Sequence, residues 1–176
     1  MIISNINIFI DYDTVKLSHE HSAYMSKMYL EIDDYIFPHN QYIALPAMIL
    51  RWLLKEMRLI KGKTNTIYER HIYFHPEDGL YIKLELLDND ILHVSFVTRK
   101  KEEKMKNVFH TIFSKDGHLN STDFFCYYKD FFIETYNQAS LFYERYKDQY
   151  PQGGDMLVLQ GELNLSKKLA KELSKN

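Results

Sequence analysis

Residues 80–99 read LYIKLELLDNDILHVSFVTR, and the fold class follows from how they alternate. Leu80, Ile82, Leu84 and Leu86 are interleaved with Tyr81, Lys83 and Glu85, and Leu92, Val94 and Phe96 with His93, Ser95 and Val97. Apolar residues at a period of two line one face of a strand. Asp88-Asn89-Asp90 between the two runs is turn chemistry. A three-residue loop there pairs Leu86 with Leu92 and Leu84 with Val94, so that both apolar sets share a face. A two-residue loop would set Leu84 opposite His93 and is disfavoured. The stretch therefore predicts an antiparallel hairpin with one apolar and one polar face.

Working outward, residues 67–74 form a preceding strand, joined through His75-Pro76-Glu77-Asp78-Gly79. Residues 5–12 and 24–37 add two earlier strands. Residues 99–106 form a charged hairpin tip, and 108–113 a further strand. The first helix is predicted over 45–60: Pro46 suits the first turn, and Leu45, Met48, Ile49, Trp52, Leu53, Met57 and Ile60 share a face. Trp52 on that face is expected to be substantially buried. A second helix is predicted over 121–146, where Phe125, Tyr128, Phe132, Tyr136, Ala139, Tyr143 and Tyr146 keep a spacing of three and four. Pro151-Gln152-Gly153-Gly154 marks a boundary. The expected organisation is one α+β domain over 1–150 and an extension over 151–176, with an edge strand at 156–159 and a short amphipathic helix at 166–174. The expected architecture is a mostly antiparallel sheet of about five or six strands, with the two main helices packed on one face.

Composition narrows the function classes. Of 176 residues, 45% are hydrophobic and 26% charged, enough apolar surface to offset ordering entropy. The net charge of −2 gives neither the basic face of a general nucleic-acid binder nor an acidic mimic of nucleic acid. Nucleic acid is therefore not expected as a partner. The 14 Tyr and 11 Phe supply core and suit a contact surface. A single cysteine, Cys126, rules out an internal disulfide and fits a reducing compartment. Residues 1–10 lack a basic leader, and no apolar run reaches the ~20 residues of a membrane span. The expectation is a cytoplasmic chain with no membrane partner.

Glycine-rich phosphate loops, the nucleophile elbow and the HExxH motif are all absent from the sequence, and no cofactor is expected. His19 and His21 make an isolated H-x-H pair without an identifiable third ligand. Cys126 sits among aromatics with no nucleophile context. The polar face of the sheet carries more. In the register above Glu85 lies opposite His93, and a symmetric 75–79 loop sets Glu69 opposite Glu85, with His71 and Lys83 in the next row. Glu69, His71, Glu85 and His93 could hold a metal or run acid–base chemistry. A hydrated outer face is the commoner use of such a row.

Two strands, the helix ALPAMILRWLLKEM (44–57), a three-strand meander and the aromatic run FFCYYKDFFIETYNQASLFYERY (124–146) follow one another. In order and pattern, over residues 24–146, this resembles small bacterial α+β proteins, some of them immunity proteins encoded beside polymorphic toxins. The resemblance implies neutralisation of a cognate toxin by covering its active site, and carries no residue roles with it.

These readings favour a protein-binding module of immunity type over an enzyme using the Glu/His cluster. The expected docking surface is the outer sheet face. Tyr73 and Tyr81 are its aromatic anchors, and Glu77, Asp78, Asp88 and Asp90 form an acidic rim toward a basic toxin domain. Homo-oligomerisation stays open.

Overall fold

The computed structural model describes residues 2–18, 23–61, 69–75, 79–87, 90–99, 119–149 and 153–175. They form an α+β fold of nine strands and three helices. The strands are β1 (Ile6–Ile10), β2 (Lys16–Ser18), β3 (Ala23–Ile32), β4 (Tyr35–Phe37), β5 (Ile43–Ala44), β6 (Glu69–His75), β7 (Leu80–Leu86), β8 (Ile91–Arg99) and β9 (Leu119–Tyr127). The helices are α1 (Pro46–Lys61), α2 (Tyr128–Tyr146) and α3 (Gly154–Leu173).

The strands divide into two antiparallel sheets rather than one. The first is built on β3, which pairs with β1, β2, β4 and β5; the second runs β6-β7-β8-β9. A bond from the Ser4 amide to the Phe125 carbonyl (2.7 Å) ties the lead-in to β1 to β9. The 24–37 segment is two strands, because Asp33 turns the chain at φ 49 and lets Tyr35 pair back onto Ile32. Asp tolerates this left-handed conformation better than most residues.

The hairpin register matches the alternation argument. Leu86 faces Leu92, Leu84 faces Val94 and Glu85 faces His93. Glu69 faces Glu85 and His71 faces Lys83. Ile82, Leu84, Leu92, Val94 and Phe96 are buried on the inner face. Phe37 of β4 joins the sheets, its ring 4.6 Å from Phe96 and 5.5 Å from Phe74.

Two elements depart from expectation. Residues 119–127 extend as β9 along the whole of β8, from Ile91 opposite Tyr127 to Arg99 opposite Leu119, and the helix begins only at Tyr128. Nine residue pairs beside β8 outweigh the local helical spacing of an aromatic run that suits either period. The C-terminal segment is not an edge strand followed by a short helix. It is one helix, α3, whose Met156, Leu159, Leu163 and Ala170 enter the same buried cluster as α1 and α2. Burial against two neighbours stabilises a helix that propensity alone would leave marginal.

The helices lie against the inner faces: α1 against β3, β6 and β7, α2 against β1, and α3 against β3 and both other helices. Because α3 also covers α1, the buried stripe of α1 is centred on Ile49, Leu50, Leu53, Leu54, Met57 and Ile60. Trp52 is thereby displaced to its half-buried flank. Asp155, buried in the first turn of α3, accepts from the Tyr24 amide (3.1 Å) and its neighbour Met156 (2.8 Å), pinning that end to β3.

Candidate functional site

The outer face of the second sheet gathers the polar side chains of β7, β8 and β9. Strand alternation places Glu85, His93, Ser95, Asp123, Phe125 and Tyr127 on it, opposite the face that buries Leu84, Val94 and Cys126. Tyr127 is the last residue of β9 and directly precedes α2, so the strand-to-helix switch leaves its ring half exposed (50%).

His93 bridges two carboxylates. Its Nδ1 lies 3.3 Å from Glu85 Oε2, and its Nε2 lies 3.1 Å from Asp123 Oδ1. The imidazole stacks on Phe125 at 4.9 Å between centroids and 18° between planes. Ser95 donates its hydroxyl to Asp123 Oδ1, and its Oγ lies 3.4 Å from His93 Nε2. The Ser95 hydrogen bond holds the Asp123 carboxyl below its ordinary range, with His93 and Ser121 adding to this and desolvation opposing it. The Asp123 side chain stays 48% exposed, so a carboxylate meets solvent on the face that also carries Phe125 and Tyr127.

This arrangement restricts the chemistry. Ser95 is buried to 4% exposure and spends its hydroxyl on a carboxylate, so it is not placed to attack a substrate. Both His93 nitrogens lie within hydrogen-bond reach of a carboxylate. Among the described residues no group of three or more His, Cys, Asp or Glu could hold a metal ion. Cys126 lies on the inner face, where burial, with Asp130 adding, pushes its thiol up to about 12.

The sequence-derived sites fare unevenly. Glu85 and His93 come together as expected. Glu69 and His71 are placed beside them by backbone register alone, as is Tyr73. Tyr81 is a correction: it and Val97 are both 4% exposed, so Tyr81 is packed within the face and presents no anchor. Tyr81 lies on an interior strand, between Tyr73 of β6 and the equally buried Val97 of β8, which leaves its ring little solvent. Asp90 is exposed but ion-paired with Lys61, whose ammonium also sits 5.2 Å from the Tyr128 ring centroid. Its charge is spent at the end of α1. Glu77, Asp78 and Asp88 lie outside the described residues, as do His19 and His21, the charged 100–106 segment and the strand expected at 108–113.

No protein-family model, curated protein or solved structure matches this chain.

Asp123, Ser95, Phe125 and Tyr127 were not singled out by the sequence reading. Once 121–127 is assigned to a helix, Asp123 no longer shares a row with Ser95. The alternation of Ser121, Asp123, Phe125 and Tyr127 against Thr122, Phe124 and Cys126 was the signal that could have found them. No described helix is long and apolar enough to cross a membrane.

Proposed function

We propose that this chain is a protein-binding module of the immunity type, and that it presents the outer face of the second sheet to a basic partner domain. The observation that carries the reading is Asp123, a half-exposed carboxylate held below its ordinary range chiefly by Ser95, on a strand face that also carries Phe125 one row away and the half-exposed Tyr127 beyond it. An exposed carboxylate suits an incoming arginine or lysine, and an exposed tyrosine further along the same face suits a second contact with the same partner. Glu85 supplies further negative charge in the adjacent row, across His93, and Tyr127 supplies the contact area typical of an interface anchor. A nuclease-type toxin, whose active site must be basic to hold nucleic acid, is the matching partner.

The alternative, an acid–base enzyme, rests on the same Glu85–His93–Asp123 bridge, in which two carboxylates and the Phe125 stack already engage the imidazole.

The test is neutralisation of a toxin domain encoded beside this gene, with affinity measured by calorimetry. Asp123→Asn and Tyr127→Ala should each weaken binding about tenfold or more without altering circular dichroism. Undiminished binding by both variants would place the docking surface elsewhere.

A further inference from the structure

The outer face of the first sheet carries a separate apolar patch. Phe9 of β1 (44% exposed) stacks on Tyr29 of β3, with ring centroids 4.6 Å apart and planes 23° apart. On the far side of β3, Ile36 of β4 and Ile43 of β5 are 36% and 42% exposed. Register fixes which neighbours share this face, since directly paired residues of antiparallel strands point the same way. Phe9 pairs with Tyr29, Glu31 with Ile36, and Lys27 with Ile43. The patch therefore has three rows along β3, with a cation in one outer row, an anion in the other and the aromatic pair between them. Lys27 and Glu31 stand four residues apart, about 13 Å along a strand, too far to pair with each other.

We infer that this face is a self-association surface, where a second copy of the chain packs face to face through a two-fold axis lying across the strands at Tyr29. That operation reverses strand direction and preserves the lateral order. It sets Lys27 over Glu31 of the second copy and Glu31 over its Lys27. It brings Ile43 over Ile36, and the Phe9–Tyr29 stack over its own equivalent. The isologous contact is thus charge-matched at both ends and apolar in the middle. A two-fold along the strands would instead set Lys27 on Lys27 and Glu31 on Glu31. The natural twist of the two sheets, about 30° between strand directions, confines close register to these central rows. Six side chains per copy are few beside the roughly 20–30 of a standard interface, so the dimer is weak and concentration-dependent.

Sedimentation velocity on the full chain over a wide concentration range tests this, with mass expected to rise from 21.1 kDa toward twice that value. Lys27→Glu and Glu31→Lys each turn two attractive contacts into two repulsive ones, and each should weaken self-association at least about tenfold. Mixing the two variants restores complementarity at both ends, so the mixture should associate at least as tightly as the parent. Thermal melts by circular dichroism confirm that both variants are folded. A parent chain that stays monomeric up to about millimolar concentration overturns the inference. So does a dimer indifferent to the single reversals, or a mixture of the variants that fails to associate. The surface proposed for a basic partner lies on the other sheet, so Asp123→Asn should leave self-association unchanged whether or not that partner reading holds.

Discussion

Arg58 of α1 holds Glu162 of α3 through two hydrogen bonds, Nε to Oε1 at 2.8 Å and the terminal nitrogen Nη2 to Oε2 at 3.2 Å. Ser166, one turn along α3, donates to the same Oε1 at 3.1 Å. The Glu162 side chain is 6% exposed, whereas that of Arg58 keeps 27% of its surface in water. The hydrogen bond to Glu162 raises the Arg58 guanidinium above its ordinary value, with burial opposing.

The two halves of this pair should fail unequally. Arg58→Ala strands a buried carboxylate and should cost ~2–4 kcal/mol, somewhat below the range for fully buried pairs. Glu162→Gln leaves a cation that can turn to solvent and should cost only ~1–2 kcal/mol. Urea denaturation of both variants checks the order, and equal losses would show that the exposure of Arg58 gives it no relief.

Gly161 stands in the middle of α3, where a methyl group would meet nothing within 4 Å. Gly161→Ala should therefore raise stability by ~0.5–1 kcal/mol through helix propensity and lost unfolded-state freedom. A lowered thermal midpoint would contradict an open surface there.

Alkaline pH should destabilise the fold through Cys126. Burial is the main cause of its thiol rising from 9.0 to about 12. The folded state therefore holds the proton more tightly. The resulting stability is complete below about pH 9 and is lost as pH climbs toward about 12. Tyr128, also raised chiefly by burial, acts in the same sense while donating its hydroxyl to the Met57 carbonyl at 2.9 Å. Urea midpoints should fall between pH 8 and 11, less steeply in Cys126→Ala. At pH 8 the native thiol should resist a disulfide reagent that labels the unfolded chain at once.

Trp52 and Leu53 are neighbours with different burial. Leu53 is fully buried, whereas Trp52 packs against the core from its edge. Leu53→Ala should cost ~2–5 kcal/mol, and Trp52→Ala less despite removing more atoms. Denaturant melts giving the reverse order would place Trp52 inside the core.

Much of the second sheet was legible in the chain itself. The alternation on both sides of Asp88-Asn89-Asp90, joined to the loop length, sets Glu85 opposite His93. A one-residue slip would turn every leucine of β7 to the wrong face. Pro46 and the apolar spacing after it likewise determine α1 within about a residue. Residues 119–128 carry no such unique period. Phe124, Phe125, Cys126, Tyr127 and Tyr128 fit either a strand or a helix, and pairing along β8 decides for the strand up to Tyr127. That decision brings Asp123 to His93 and leaves Tyr127 half exposed, so the candidate site exists only in the tertiary structure. The state of α3, the burial of Tyr81 and the division into two sheets were decided in the same way, since each depends on which distant surfaces meet. Local sequence determines the period and hand of each element, while the burial of a given face depends on neighbours far along the chain.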